Sequence, residues 1–166
     1  MAEKKINVFF DMDGTIAEWR AAVNFSDLFK KGYFRTLAPT SLSGYANQLA
    51  ENGSGVDAYI LSAYLPESYA FAEKNEWADE HVPNFDRDHR IFVHDGVCKA
   101  EAIVEAMNRP LTEHDILVDD YTLNLNAWQA AGGKAIKWLN GINGLGGRFD
   151  GPRTDSVEEL HRMIFA

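Results

Sequence analysis

The chain has 166 residues, enough for one domain with a substantial buried core. Hydrophobic residues make up 46% of the sequence and aromatic residues 12%, a composition that is typical of globular proteins and excludes a disordered chain. The formal net charge of -9 disfavours a nucleic-acid polymer or an acidic membrane surface as partner. A small phosphorylated substrate is compatible with this charge if a metal ion and a few cationic side chains lie close to the phosphate.

The cysteine count and the hydrophobic pattern predict the cellular location. A single cysteine, Cys98, allows no internal disulfide, and we expect it to be a small buried residue. No apolar run approaches the ~18 residues that a membrane span requires, and Asp11 follows the start too closely for a signal-peptide core. We therefore expect a soluble cytoplasmic protein.

Short apolar strands alternate with helical patterns along the chain. The predicted strands are 6–10, 56–61, 90–93, 116–118 and 134–139. The predicted helices are 41–51, 66–80, 99–107, 125–131 and a last one from Asp155, where Ser156 and Glu159 have capping-box spacing. This alternation predicts an α/β fold, a doubly wound and mainly parallel sheet of about five strands. The glycine-rich stretch 140–151 is predicted to be a loop.

One segment does not fit this alternation. Residues 16–40 are too many for a simple connection between a strand and a helix, and insertions of this kind often form lids or binding loops. The segment contains five aromatic residues, Trp19, Phe25, Phe29, Tyr33 and Phe34. We predict that 16–40 is a small helical cap, inserted into a core made of 1–15 and 41–166. The alternative is a surface helix whose aromatic side chains pack into the core.

Polar residues follow four of the predicted strands, at the points where the strands end. They are Asp11 and Asp13 after the first strand, Ser62 after the second, Lys99 shortly after the third, and Asp119 and Asp120 after the fourth. In open α/β sheets, ligands bind outside the carboxyl ends of the strands. We therefore expect these side chains to form one site.

The charges of this site predict its chemistry. Carboxylates this close together require a cation, and hard oxygen ligands suit Mg²⁺. Lys99, Ser62 and the backbone N–H groups around Gly14 are candidates to bind phosphate oxygens. Asp11 is then placed to attack phosphorus, and Asp13 to protonate the leaving oxygen and later activate water.

The same motifs resemble those of the haloacid dehalogenase (HAD) superfamily. The sequence DMDGT at 11–15, Ser62 in ILSA, Lys99, and the acidic pair in ILVDD at 116–120 occur in the order of its four motifs. Within the superfamily the chain most resembles the 5'(3')-deoxyribonucleotidases. This closer likeness rests on DMDG followed by AEW, on GYF at 32–34, and on ILVDDYTLNLNAWQAAGGKAI.

The resemblance implies a Rossmann-like core and a phosphoaspartyl enzyme on Asp11, with Asp13 as general acid and base. It implies a Mg²⁺ cofactor held by the carboxylates of Asp11 and Asp120 and the backbone carbonyl of Asp13, with Asp119 beside them. It further implies phosphate binding by Ser62, Ala63, Lys99 and Gly14. In this interpretation the cap residues Trp19, Phe29, Tyr33 and Phe34 contact the substrate.

Two features depart from the deoxyribonucleotidase pattern. Only 48 residues separate Asp13 from Ser62, too few for the sizeable helical cap of the animal enzymes. The lysine segment, VHDGVCKAE, is also longer than the short Arg-Asp-Lys-Thr turn of those enzymes. Both departures bear on the identity of the substrate and leave the chemistry intact.

Three classes of function are compatible with these residues. The first is a phosphomonoesterase, either a 5'-nucleotidase acting on (deoxy)ribonucleoside monophosphates or a phosphatase of a small sugar phosphate or another phosphometabolite. The second is a receiver-like phosphoacceptor, but receivers place the acidic pair on the first strand, whereas here it follows a late strand. The third is a phosphate-binding module without catalysis, which the complete set of motif residues disfavours.

Overall fold

The computed structural model describes residues 5–20, 24–51, 53, 55–143 and 148–166. Six strands form a single sheet: β1 (Ile6–Phe10), β2 (Val56–Tyr64), β3 (Arg90–His94), β4 (Asp115–Asp119), β5 (Lys134–Trp138) and β6 (Arg153–Thr154). Their order in the sheet is β3-β2-β1-β4-β5-β6, and all neighbouring pairs are parallel. The predicted α/β fold with a doubly wound parallel sheet is therefore confirmed.

Five α-helices accompany the sheet: α1 (Ser41–Glu51), α2 (Ala70–His81), α3 (Lys99–Met107), α4 (Thr122–Ala130) and α5 (Val157–Ile164). None of the helices in the described ranges is long and apolar enough to span a bilayer. The Ser156 side chain caps α5 by accepting a bond from the Glu159 N–H. The Glu159 carboxylate bonds the Thr154 hydroxyl instead of closing the predicted capping box.

Helices cover both faces of the sheet. Along β1, Val8 and Phe10 point to the face covered by α1, α2 and α5, and Phe9 points to the face covered by α3 and α4. All three side chains are buried, because strands in the middle of a parallel sheet have no solvent-exposed face. The central position of β1 places its end, and therefore Asp11, in the middle of the sheet edge.

The boundaries differ from the prediction in several places, and helix α4, for example, begins at Thr122 and not at 125. Strand β2 continues to Tyr64, since residues 60–64 pair with β3. Helix α2 begins at Ala70 and not at 66, after a turn in which Glu67 has a φ of +60°. Strand β6 was not predicted: it lies just beyond the stretch 140–151, of which 144–147 lie outside the described residues.

The segment 16–40 contains a short 3-10 helix, Phe25–Phe29, and no α-helix among its described residues. Tyr33 and Phe34 belong to the core in this structure, with 7% and 5% of their surface exposed. The Glu73 carboxylate of α2 fixes this part of the segment, since it accepts bonds from the backbone N–H groups of residues 32, 34 and 35. For these two aromatic residues the structure agrees with the alternative interpretation, in which they pack into the core.

The other aromatic residues of the segment, Trp19, Phe25 and Phe29, are exposed. Cys98 packs against the core cluster on the face covered by α3 and α4 and is partly buried, less than the small buried residue that the sequence predicted.

Candidate active site

Strand register brings the acidic residues together. Phe10 at the end of β1 pairs with Ile60 of β2 and Val118 of β4. The backbone N–H of Asp11 donates to the Val118 carbonyl at 2.9 Å, so Asp11 follows β1 directly beside Asp119, the last residue of β4. The side-by-side arrangement of two carboxylates is thus fixed by the hydrogen bonds of the sheet.

Lys99 connects these two carboxylates. It is the first residue of α3, and its buried ammonium lies 2.6 Å from Oδ1 of Asp11 and 2.8 Å from Oδ2 of Asp119. Burial on its own would lower the pKa of Lys99, but the two carboxylates raise that pKa above its ordinary value. Lys99 is therefore a fixed positive charge in contact with Asp11.

Three carboxylates could hold a metal ion. Asp11, Asp119 and Asp120 each offer one oxygen, and these oxygens lie within 4.8 Å of one another. Burial and the neighbouring carboxylates raise the pKa of Asp120 to about 9; burial and Asp11 raise that of Asp119 to about 6. Crowded anionic oxygens are the donor set that suits Mg²⁺, so the residues fit this ion.

The two residues of the acidic pair have different surroundings. Asp119 accepts bonds from Lys99, from the backbone N–H of Tyr121 and from the side chain of Asn124. Asp120 accepts a side-chain bond from Asn140 at 3.1 Å. Asp119 therefore orients Lys99, while Asp120 has the freer carboxylate for a metal ion.

Gly14 permits the close packing of this cluster. Its φ is +84°, a conformation that favours glycine, and a Cβ atom there would lie 2.8 Å from Cγ of Asp120 and still closer to its Oδ2. The Gly14 carbonyl accepts a bond from Asn140, which also donates to Asp120. The glycine thus allows the Asp120 carboxylate to lie against the loop that follows β1.

A second buried lysine, Lys74, contacts the other motif acid. Its ammonium pairs with Oδ2 of Asp13 and donates to the Ser62 hydroxyl at 3.0 Å and to the Ala63 carbonyl at 2.6 Å. It also lies 4.8 Å from the centre of the Phe34 ring. Burial raises the pKa of Asp13 although Lys74 opposes this effect, and Oδ1 of Asp13 has no hydrogen-bond partner in the described part of the chain. Asp13 therefore has a raised pKa and one unbonded oxygen.

Sequence reasoning did not assign a role to Lys74, although a signal was present. Lys74 is spaced four residues from Ala70, three from Trp77 and four from Ala78, and all four side chains are fully buried. A charged residue within the apolar stripe of an amphipathic helix requires a buried partner. Asn124 and Asn140, which bond the acidic pair, were also missed, and no pattern distinguishes them from ordinary helix and loop residues.

A cavity of about 750 Å³ opens over the carboxylates. The predicted site residues that line it are Asp11, Asp13, Trp19, Ala63, Lys99, Asp119 and Asp120. Gly14 lines a neighbouring cavity of about 540 Å³, and Ser62 is fully buried beneath Lys74. Phe29, Tyr33 and Phe34 are not among the described residues that line either cavity. Among the described residues of the 16–40 segment, Trp19 is the one that lines the cavity over the carboxylates.

Comparisons with known proteins agree with this geometry at the level of the fold. Neither a family model nor a curated protein matches the chain. A D,D-heptose 1,7-bisphosphate phosphatase from B. bronchiseptica, solved with magnesium and phosphate, is 16% identical and superposes with a TM-score of 0.66 over 96% of this chain and 98% of its own. The corresponding phosphatase from Burkholderia thailandensis is 14% identical, with a TM-score of 0.62 over 98% of this chain and 99% of its own.

A third structure, a HAD-superfamily hydrolase from Ehrlichia chaffeensis, is 9% identical, with a TM-score of 0.60 over 99% of this chain and 98% of its own. Similarity at these identities concerns the fold, and it extends over almost the whole length of each protein. The chain thus has the α/β fold of HAD-superfamily hydrolases.

Proposed function

We propose that this protein is a Mg²⁺-dependent phosphomonoesterase that forms a phosphoaspartyl intermediate on Asp11. The observation that supports this most strongly is the contact of Asp11 with Lys99, beside the carboxylates of Asp119 and Asp120. A carboxylate between a fixed cation and a metal-binding cluster can approach a phosphate dianion without repelling it. Asp13, two residues away, supplies a second carboxyl group for proton transfer.

Asp11 and Asp120 would hold the Mg²⁺ ion, with Asp119 beside them orienting Lys99. When bound, the ion supplies positive charge for the phosphate oxygens and reduces the repulsion between the carboxylates. Lys99 supplies a second positive charge at the same place, and Lys74 a third beside Asp13. These three positive charges complement the negative charge of a phosphate group, although the chain as a whole is acidic.

The reaction has two steps. In the first, an oxygen of Asp11 bonds to phosphorus, the ester P–O bond breaks, and Asp13 donates its proton to the leaving oxygen. In the second, Asp13 takes a proton from a water molecule, whose oxygen bonds to phosphorus as the bond to Asp11 breaks. The raised pKa of Asp13 suits its role as the acid of the first step.

The substrate we propose is a nucleoside monophosphate. The cavity above the carboxylates has a volume of about 750 Å³, within the range of roughly 300–1,000 Å³ that is typical of small-molecule sites. Exposed aromatic side chains, Trp19 and Tyr121, line it. Aromatic faces can stack on a nucleobase, and the sequence resemblance to deoxyribonucleotidases supports the same class of substrate.

A second candidate substrate is a sugar phosphate. It is favoured by one observation, the similarity of the fold to two heptose bisphosphate phosphatases. The chemistry at Asp11 and Asp13 is the same for both candidates, so they differ only in the group that fills the cavity.

A phosphate-release screen tests this function. We expect turnover of nucleoside monophosphates, less of sugar phosphates, and complete loss after EDTA treatment that Mg²⁺ reverses. Rapid acid quenching during turnover of ³²P-labelled substrate should trap label on the protein. A stable phosphoprotein lasting minutes without turnover would favour a phosphoacceptor, and undiminished turnover after exhaustive chelation would exclude the metal-dependent mechanism.

A further inference from the structure

The catalytic cavity has an unusual concentration of exposed apolar surface. Ten large hydrophobic side chains are exposed in the described part of the chain, and five of them line this cavity. They are Trp19, Val97, Tyr121, Leu123 and Ile142. Exposed hydrophobic residues that gather in one concave place mark a binding surface.

Three of these side chains lie at or next to the starts of α3 and α4, two helices that contact each other. Val97 lies in the loop between β3 and α3, Tyr121 precedes α4, and Leu123 lies in the first turn of α4. We call these three residues the apolar wall. Trp19 and Ile142 also line the neighbouring cavity, whereas the three residues of the wall line only the catalytic one.

Three amide side chains near the wall are already bonded within the protein, and the exposed carboxylate of Asp95 lies in the cavity beside them. The amide of Asn124 donates to Asp119, that of Asn140 donates to Asp120, and that of Asn143 donates to the Asp120 carbonyl. These amides hold the acidic pair in place and have fewer hydrogens left for a ligand. A substrate rich in hydroxyl groups would need several free polar partners here, and the wall offers it mainly hydrocarbon surface.

We propose that the apolar wall binds the non-phosphate part of the substrate and that this part carries a flat aromatic group. The inference rests on the proposed phosphatase function and deepens it. For a nucleoside monophosphate the group is the base, which packs against Val97, Tyr121 and Leu123 while the phosphate lies over Asp11. Specificity is then determined by the start of α4 and the β3–α3 loop, and not by Tyr33 and Phe34, which are buried in the core.

Truncation of the wall tests this assignment. The readout is the ratio of kcat/KM for dTMP to kcat/KM for 2-glycerol phosphate, a small polar ester without an aromatic group. We expect Leu123→Ala and Tyr121→Ala each to lower this ratio by about 10-fold, the effect of removing one apolar contact. Both side chains are exposed, so their truncation spares the core.

Two control variants match these residues in exposure but lie outside the cavity. Leu123 and Phe25 are 64% and 68% exposed, and Tyr121 and Tyr69 are 56% and 49% exposed. Phe25→Ala and Tyr69→Ala should leave the ratio unchanged.

An unchanged ratio in both wall variants, or a wild-type preference for 2-glycerol phosphate, overturns the inference. The same holds if Trp19→Ala alone lowers the ratio, because the 16–40 segment then recognises the substrate.

A binding measurement separates failure of this inference from failure of the proposed function. Calorimetry on Asp11→Asn protein, with and without Leu123→Ala, gives the affinities for dTMP and for inorganic phosphate. The inference requires Leu123→Ala to weaken dTMP binding about 10-fold more than phosphate binding. If this difference in affinity is found but the wild-type protein hydrolyses no phosphate ester, the phosphatase function is contradicted and the role of the wall is supported. If the wild-type protein turns over phosphate esters but Leu123→Ala weakens dTMP and phosphate binding equally, the phosphatase function is supported and the role of the wall is contradicted.

Discussion

The ammonium of Lys74 lies 3.0 Å from the hydroxyl of Ser62, and the same ammonium pairs with the carboxylate of Asp13. One buried cation thus connects the end of β2 with the acid that we propose for proton transfer. Because Lys74 is fully buried, water cannot replace these contacts if the side chain is shortened or made apolar. Helix α2 is therefore part of the candidate active site as well as of the core.

Replacing Lys74 by methionine should lower kcat/KM substantially. The loss of a hydrogen bond to a charged group costs roughly 1.5–3 kcal/mol, which corresponds to a 10- to 150-fold loss if the contact persists in the transition state. Lys137→Met is a matched control, since Lys137 is also buried and its ammonium donates to the Thr122 hydroxyl. If the two variants lose stability alike and Lys74→Met keeps wild-type kcat/KM, Lys74 is only structural.

Substitution of the two motif acids should give different kinetics. Asp11→Asn removes the proposed nucleophile, so no turnover and no labelled protein should remain. Asp13→Asn should retain metal binding and lose about 10²–10⁴ in kcat, as is typical of general acid–base catalysis. With p-nitrophenyl phosphate, whose leaving group needs no proton, Asp13→Asn should release a burst of nitrophenol and accumulate phosphoenzyme. Turnover by folded Asp11→Asn protein would contradict the covalent mechanism.

Much of the site follows from the sequence because local pattern and sheet topology act together. An apolar run that ends in Asp11 predicts a central strand, and parallel strands bring their carboxyl ends to one edge. Those two facts predict that Asp11 and Asp119 lie at the same edge, and the pairing of β1 with β4 in the structure makes them neighbours. The sequence also places Lys99 at this edge, but as a candidate to bind phosphate; its direct contacts with Asp11 and Asp119 are seen only in the structure.

Other features depend on contacts between distant parts of the chain. Lys74 lies 61 positions after Asp13, and although its place in the apolar stripe of α2 signals a buried partner, no local pattern identifies Asp13 as that partner. The burial of Tyr33 and Phe34 depends on Glu73, which binds the backbone of their segment. Strand β6 has two residues, too few for any hydrophobic period to appear.

The stability of the fold should depend on pH through Asp115, at the opposite end of β4 from the site. Burial alone would raise the pKa of Asp115, but bonds from Arg109, Asn7 and Thr112 outweigh burial and lower that pKa from 3.8 to about 2. A carboxyl whose pKa is lower in the folded state stabilises the fold above its unfolded pKa and ceases to do so as the pH falls through the folded pKa. The stabilisation is therefore lost as the pH falls from about 5 to about 2.

Chemical denaturation of wild-type and Asp115→Asn protein between these pH values measures this contribution. A pKa shift of this size corresponds to roughly 2 kcal/mol, so wild-type stability should fall by about that much more than the stability of the variant. Asp88→Asn is a suitable control because Asp88 is exposed. Equal slopes for wild type and Asp115→Asn would contradict the assignment.

Adding a single methyl group at Gly14 should disrupt the metal-binding cluster. Gly14→Ala combines two effects: the strain of a φ of +84° in a residue with a side chain, and the overlap of the new Cβ with the Asp120 carboxylate. Gly55→Ala is a matched control, because Gly55 has a φ of +81° and a Cβ there would meet no atom within 4 Å. Both variants should lose about 1–3 kcal/mol of stability from strain. Only Gly14→Ala should also weaken Mg²⁺ binding and lower kcat, because the new Cβ forces the Asp120 carboxylate away from that of Asp11. Calorimetric titration with Mg²⁺ measures this difference, and equal Mg²⁺ affinities in the two variants would show that the position of Asp120 does not determine metal binding.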